Sequence, residues 1–372
     1  MKTICIALTN RTNYSKLKTV LFELRNFRDL ECRIVLSSTI LLDRYGSSYR
    51  DLLHDGFEID KKIDCVLMND SHEAMAKTVG LSVLEHATYF QWRRPDLLLI
   101  VGDRFDMLAP AVAASMMNIP IAHIQGGELS GTIDNVIRDV ITRFAALHFV
   151  ATEQSAQNLS NYGVAPKSIF DYGCPAVEYI SQIEVGKNFD QDKLGKKFKR
   201  DIHIKPGEKY FLVMIHPDTT NRHDVDMEAV MSAVVKFGVK TFIFYPNVDA
   251  HNSEIVASIA KYKNNDNFYM IRHMPLEGFI HTMAHCSCMI GNSSSGIREA
   301  ASFGVPVINI GYRQVDRERN ANVIDIEDRY ETLEEMINKY IGHRFEKQNI
   351  YFKPGCANKI ALEITRFIGV ED

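Results

Sequence analysis

Between residues 286 and 311 the chain reads CSCMIGNSSSGIREAASFGVPVINIG. Two short, continuous apolar runs, CSCMI and VPVINI, bracket a patch of glycine and serine followed by a segment, IREAASFG, that opens as a helix. Apolar runs of this length with no alternation are the mark of strands buried on both faces of a parallel sheet. The stretch therefore reads as strand, loop, helix, strand. Working outward, TICIALT (3–9), CRIVLS (32–37), DLLLIVG (96–102), IPIAHI (119–124) and LHFVAT (147–152) repeat the strand pattern, as do YFLVMIH (210–216), KTFIFYP (240–246) and FYMIR (268–272). Segments with helical spacing, such as YSKLKTVLFELRNF and MLAPAVAASMMN, lie between them. A β-α-β-α alternation implies right-handed crossovers and helices on both faces of each sheet, so the fold class is α/β with two doubly wound, Rossmann-type halves. The charged stretch 176–208 separates them and reads as a helical linker whose Lys/Arg run is a solvated face.

Composition sets the outer limits. At 372 residues the chain exceeds one ordinary core, which fits two domains. Apolar residues at 46% and charged residues at 24% describe a soluble globular protein. With 43 basic and 47 acidic side chains the net charge is -4, which argues against a nucleic-acid surface. The first apolar run is too short for a signal-peptide core and none approaches the roughly 20 residues of a membrane helix, so no membrane partner and a cytoplasmic location are expected. Seven cysteines are scattered on or beside apolar segments, as reduced core thiols are. Cys286 and Cys288 lack the second pair that a zinc site requires, and no metal is expected.

In doubly wound sheets ligands collect beyond the carboxyl ends of the strands. Those loops carry Asn10-Arg11, Gly102-Asp103-Arg104-Phe105-Asp106, Gln125-Gly126-Gly127-Glu128, His216-Pro217-Asp218, Pro246-Asn247-Val248-Asp249 and the GNSSSG segment 291–296. Charged and amide side chains recur at one end of both halves, which puts the expected functional cleft between them. The GNSSSG loop suits a phosphate: glycine permits close backbone approach, the first-turn N–H groups point outward, and the helix dipole adds roughly 0.3–1 kcal/mol for an anion. The same serines would also serve as a plain helix cap, although one would suffice. Gly291 and Gly296 match the first half of a Walker A loop, but Ile297-Arg298 stands where Lys-Ser/Thr is required, which disfavours a kinase or ATPase. Glu299 is expected in the first turn of the helix, where a carboxylate accepts ribose hydroxyls or simply compensates the dipole. Asp103 and Asp106 flank Arg104, while HIQGGELSGTIDNVIR supplies His123, Glu128 and Asp134. Several carboxylates meeting at one place are what removal and return of a proton need. Asp134, near a helix start, reads equally as a first-turn capping residue.

The set RTNYSKL, GDRFD, HIQGGELSGTID, ATEQSAQNL, GCP, HPDTT, YPN and GNSSSGIREAASFGVPVINIGYRQ resembles, in order and over nearly the whole chain, the hydrolysing UDP-N-acetylglucosamine 2-epimerases of sialic acid synthesis. The resemblance implies a glycosyltransferase-B-like fold with domains 1–175 and 176–354, and a C-terminal helix, 355–372, packed back on the first. It implies that Ser293, Ser294 and Glu299 bind the UDP phosphates and ribose, that Arg11, Ser15, His216, Asn247 and Arg313 help hold the nucleotide, and that Asp103, Arg104, Glu128 and Asp134 surround the sugar. It further implies a UDP-sugar substrate, passage through a 2-acetamidoglucal, no cofactor, and a homodimer or homotetramer. Two positions depart from the family pattern. Gln125 stands in the catalytic segment where many relatives have Glu, and an amide cannot act as a base, which makes Glu128 the first candidate. Asn13 replaces a carboxylate in the segment Arg11-Thr12-Asn13-Tyr14-Ser15. The same reaction on a diacetamido-trideoxy sugar, a glycosyltransferase of the same architecture, and a non-catalytic UDP-sugar sensor are the other readings.

Overall fold

In the computed structural model, which describes residues 1–42, 48–194, 202–220, 225–327 and 330–370, the chain divides into two units. The first comprises Met1–Leu129, Ile133–Tyr179 and Tyr351–Asp372, the second Ser130–Thr132 and Ile180–Ile350. Residues 130–132 group with the second unit, where the Gly131 N–H donates to the Arg313 carbonyl (3.2 Å).

The first unit is built on strands β1 (Lys2–Leu8), β2 (Leu30–Ser37), β3 (Ile59–Ile63), β4 (Leu97–Val101), β5 (Ile121–Ile124), β6 (Leu147–Val150) and β7 (Ile169–Asp171). Its helices are α1 (Arg11–Leu24), α2 (Tyr49–His54), α3 (His72–Trp92), α4 (Phe105–Met116), α5 (Ile133–Phe144), α6 (Glu153–Asn161) and α7 (Pro175–Ser181). The sheet order is β3-β2-β1-β4-β5-β6-β7 and every recorded pairing is parallel. The second unit carries strands β8 (Tyr210–Met214), β9 (Lys240–Phe244), β10 (Phe268–Ile271), β11 (Cys288–Gly291), β12 (Val307–Ile310) and β13 (Val323–Ile326), with helices α8 (Met227–Val235), α9 (Asn252–Lys261), α10 (Leu276–His285), α11 (Ser294–Arg298) and α12 (Tyr330–Tyr340). Its order is β10-β9-β8-β11-β12-β13, again all parallel. In each sheet the order reverses once, between β1 and β4 and between β8 and β11. Those two switch points are where a doubly wound sheet opens a crevice for a ligand.

The central strands explain the apolar runs. β4 and β8 are buried at every position, with a core on each side: in the first unit Ile4, Ile6, Leu97 and Leu99 face α1, whereas Cys5, Ala7, Leu98 and Ile100 face α3 and α4. Three strands escaped the sequence reading, β3 (IDKKI), β7 (IFD) and β13 (VIDI), and all three lie at sheet edges. An edge strand is covered on fewer sides, so its sequence need not be uniformly apolar.

Two expectations for the connecting segments change. Among the described residues of 176–208, helix is confined to α7 at the start and a short 3-10 turn at Gln191–Leu194. Its described part is also docked rather than a free linker: Phe189 packs against Tyr210 and His281, Leu194 and Ile202 are buried, and the Asp190 N–H donates to His281 Nε2 (2.6 Å). Burial of these apolar side chains outweighs the charged composition between them. The Lys/Arg run itself, residues 196–200, lies outside the described residues. The last helix, α13 (Cys356–Ile368), belongs to the first unit, where Ile360, Ala361 and Ile364 share a core with Leu17, Leu21 and Leu24 of α1. Its N-terminus is capped from α7, with the Cys356 and Ala357 N–H groups donating to the Glu178 carboxylate (2.9 and 2.8 Å). All seven cysteines are free. Among the described residues no helix is long and apolar enough to cross a membrane.

Candidate active site

The first unit's switch point presents the loops after β1 and β4. Asn10 caps α1, and Asn13 completes the cap: its Oδ1 accepts the N–H groups of Thr9 (2.8 Å) and Asn10 (2.9 Å). Asn13 is buried and its Nδ2 donates to the Val101 carbonyl (3.4 Å), which a carboxylate cannot do. The departure at residue 13 is therefore absorbed by the scaffold. Arg11 and Ser15 are half-buried, one turn apart on α1, with the Ser15 hydroxyl donating to the Thr12 carbonyl (2.8 Å). Asp106 accepts the Thr9 hydroxyl (2.9 Å) and the Ser38 hydroxyl (3.4 Å), pinning two strand-end loops to α4. Two residues of the carboxylate-and-histidine group change role accordingly. Asp106, almost wholly buried, fixes loops. His123 is buried in β5, donates from Nε2 to the Gly102 carbonyl (2.8 Å), and is held neutral by burial, which pushes its pKa down to about 4.

The remaining carboxylates converge on a residue that sequence reasoning passed over. Arg138, in α5, is completely buried. It donates to the Asp103 carboxylate, to the Glu128 carbonyl (2.5 Å) and to Asn135 Oδ1 (3.1 Å). Burial opposes its charge, but the carboxylates of Asp103, Glu128 and Asp134 outweigh that penalty and its pKa is raised. Asp134 sits half-buried in the first turn of α5, four residues before Arg138, where a carboxylate also suits the helix dipole. That i, i+4 spacing was the available signal for Arg138. Arg104 begins the turn into α4 and is buried.

Gln125 and Glu128 frame the turn after β5. Gln125 adopts φ +71°, its N–H donates to the Phe149 carbonyl (2.9 Å), and its Nε2 donates to Cys174 Sγ (3.4 Å). At Gly127, φ +75°, a Cβ would stand 2.3 Å from the Ser155 carbonyl, and Asn158 Nδ2 donates to the Gly127 carbonyl (2.8 Å). Close packing on α6 therefore demands that glycine.

In the second unit the side chains gather around Asn292. Its Oδ1 accepts the His216 N–H and its Nδ2 donates to the His216 carbonyl, both at 2.8 Å, joining the loops after β8 and β11. The Asn292 carbonyl accepts from Arg313 (3.1 Å) and Gln314 (2.9 Å). The Asn247 N–H donates to His216 Nδ1 (3.2 Å), so His216 carries a proton on Nε2 and presents it as a donor. Ser293 caps α11 by accepting the Ser295 N–H (3.3 Å), and Ser294 is its first residue. His216, Asn247, Ser293, Ser294 and Arg313 are thus brought together, with Asn292 and Gln314 as unforeseen members.

Two expectations about this loop are corrected. α11 spans five residues and gives way to a 3-10 turn at Ala300–Phe303, so Glu299 caps its C-terminus instead of lying in its first turn. A single turn has little macrodipole, and anion affinity there must come from individual N–H and hydroxyl donors. Gly291, at φ +141°, answers to packing: a Cβ would lie 2.0 Å from the Met214 carbonyl of the neighbouring strand. Gly291→Ala is expected to cost about 3 kcal/mol or more, read as a lowered urea midpoint with unchanged m-value.

The family model described as UDP-N-acetylglucosamine 2-epimerase matches residues 23–365. The chain is 34% identical over 335 residues to UDP-N,N'-diacetylbacillosamine 2-epimerase (hydrolyzing) of Legionella pneumophila, covering 88% of this chain and 87% of that one. It is 29% identical over 334 residues to UDP-N-acetylglucosamine 2-epimerase of Neisseria meningitidis, covering 89% and 85%. Among solved structures, the Neisseria meningitidis UDP-GlcNAc 2-epimerase bound to UDP-GlcNAc superposes with a TM-score of 0.81 at 16% identity, covering 98% of this chain and all of that one. The S. aureus MnaA-UDP co-structure gives 0.78 at 19%, covering 100% and 98%. These likenesses speak for the fold, two parallel sheets with flanking helices of the glycosyltransferase-B type. On the family match and its 34% identical relative, the chain belongs to the UDP-N-acetylglucosamine 2-epimerase family.

Proposed function

We propose that the chain is a hydrolysing 2-epimerase that converts a UDP-linked 2-acetamido sugar and water into UDP and the free sugar inverted at C2. The observation that carries this reading is the gathering of Asp103, Glu128 and Asp134 about the buried Arg138. In the first step the C1–O bond to UDP breaks as a carboxylate, Glu128 in our assignment, removes the C2 proton. The products are UDP and a 2-acetamidoglucal. In the second, water adds its oxygen to C1 and a proton returns to C2 from the opposite face, with Asp103 and Asp134 managing the transfer. Arg138 gives Asp103 a fixed cationic partner. The departing diphosphate takes hydrogen bonds from His216 Nε2 and from Ser293 and Ser294, stabilisation of the oxyanion-hole kind. Glu299 accepts ribose hydroxyls, and Arg11, Ser15, Arg104, Asn247 and Arg313 position the nucleotide sugar. The scheme is redox-neutral and uses no cofactor.

Two substrates fit. UDP-N-acetylglucosamine, giving N-acetylmannosamine for sialic acid synthesis, is the reading the motifs suggest. UDP-2,4-diacetamido-2,4,6-trideoxyglucose is favoured by a specific observation: the 34% and 31% identical relatives are both named diacetylbacillosamine 2-epimerases. Each sugar incubated with the protein in heavy water, with no acceptor added, is expected to release UDP and a free sugar carrying one deuterium at C2. The ratio of the two kcat/KM values identifies the substrate. Release of UDP only when a sugar acceptor is present, or a product with no deuterium at C2, would overturn the proposal.

A further inference from the structure

We infer that Gly131 is a positioning residue: its bare Cα, seated on the turn Tyr312–Val315, sets the path of the span that joins Glu128 to Asp134. This rests on the hydrolysing-epimerase reading, in which those two carboxylates handle the proton at C2. Between them the chain contributes Ser130–Thr132 to the second unit, with Leu129 and Ile133 on either side belonging to the first. The Gly131 N–H donates to the Arg313 carbonyl (3.2 Å). A Cβ at residue 131 would stand 2.0 Å from the Tyr312 carbonyl oxygen and 2.8 Å from Val315 Cγ1. The Gly131 backbone lies outside the left-handed region, so conformation alone would accept alanine there. Close approach to the turn is what demands the missing side chain.

The seat is the firmer partner. The Gly311 N–H donates to the Ile326 carbonyl (3.0 Å), the Val315 N–H closes the turn on the Tyr312 carbonyl (2.9 Å), and Arg313 and Gln314 both donate to the Asn292 carbonyl (3.1 and 2.9 Å). Asn292 in turn grips both backbone groups of His216. Crowding at residue 131 is therefore relieved by the span and not by the turn. Restoring an ordinary contact with the Tyr312 carbonyl takes a shift of about 1 Å. Leu129–Ile133 is too short to absorb that, so the shift passes to Glu128 at one end and to the first turn of α5, with Asp134, at the other. Arg138 stays bonded to Asp103, and the geometry of the three carboxylates about it changes. A misplacement of that size lowers a rate about a hundredfold without touching the groups that bind.

Gly131→Ala tests this, with kcat measured on whichever of UDP-N-acetylglucosamine and UDP-2,4-diacetamido-2,4,6-trideoxyglucose turns over and UDP titrated calorimetrically in parallel. The expected result is a kcat lowered about a hundredfold, with the stoichiometry and Kd of UDP unchanged. The stoichiometry counts folded sites, so a merely structural role would lower it in step with kcat. Val315→Ala removes the side-chain wall of the seat at a half-exposed position and decides the matter if the Gly131 variant does not fold. It should lower kcat about threefold to tenfold, again with UDP binding unchanged. An unchanged kcat in the folded variant, or a UDP stoichiometry or affinity that falls in proportion to kcat, overturns the inference while leaving the epimerase reading intact. Failure of the wild-type protein to turn over either nucleotide sugar overturns both.

Discussion

Arg138→Met is expected to lower kcat/KM by about a thousandfold or more and to remove roughly 3–5 kcal/mol of stability. Both effects have one origin. The guanidinium is fully buried and serves the Asp103 carboxylate, the Glu128 carbonyl and Asn135 Oδ1 at once. Methionine of similar length leaves the partly buried Asp103 carboxylate without this cation and the Glu128 carbonyl without this donor. Arg138→Lys retains charge but not the planar fork, so it should recover part of the stability and little of the rate. In an Asp103→Asn background much of the Arg138→Met rate penalty should vanish, because the two residues act as a unit. Urea midpoints and initial rates of the wild type, the two Arg138 variants, Asp103→Asn and the double variant check this; an Arg138→Met enzyme with more than a tenth of wild-type kcat/KM would be incompatible with the assignment.

A second large effect is expected from acid. His86 in α3, His123 in β5 and His148 in β6 are buried, and burial pushes each pKa down to about 4. His86 donates from Nδ1 to the Ser82 carbonyl (2.7 Å), and His123 donates to Gly102, so both rings are packed as neutral imidazoles. An unfolded chain takes up these protons near pH 6.5, whereas the native chain refuses them until about pH 4. Stability is therefore complete above about pH 6.5, falls as pH drops toward 4, and flattens below it. The loss amounts to on the order of 3 kcal/mol for each ring. Urea midpoints at steps from pH 7.5 to 4 should fall most steeply between 6 and 4.5, ahead of most carboxylate titration. Midpoints level across that interval would show that these rings are solvated.

How far each feature could be read from the residues depended on how local its cause was. Continuous apolar runs marked the central strands because burial on both faces leaves no room for polar side chains, as at β4 and β8. IDKKI, IFD and VIDI stayed silent because an edge strand is recognised by its partner, not by its own composition. Strand-end loops were legible because their position follows from topology, which is how Asp103, Glu128 and His216 were found. Arg138 was not, since a charge on an amphipathic helix normally faces water, and only the fold shows this one facing inward. Glu299 was misplaced by the length of one helix, where the chain turns from α to 3-10 geometry after Arg298. Asn13 read only as the loss of a carboxylate from the family pattern, because sequence cannot show a side chain occupied by its own backbone.

The seating of α13 has a consequence for how the polypeptide is made. Residues 356–368 complete the hydrophobic layer that α1 also lines, and Glu178 waits to cap them. During vectorial synthesis the opening Rossmann half leaves the ribosome with that slot vacant, and roughly half the polypeptide must still be translated before its closing piece arrives. The later half meets no such delay: apart from three residues already made, it is a continuous stretch. Chaperones thus encounter the earlier-born half as the one with its greasy seam exposed, the reverse of the usual order in which whatever emerges first finishes first.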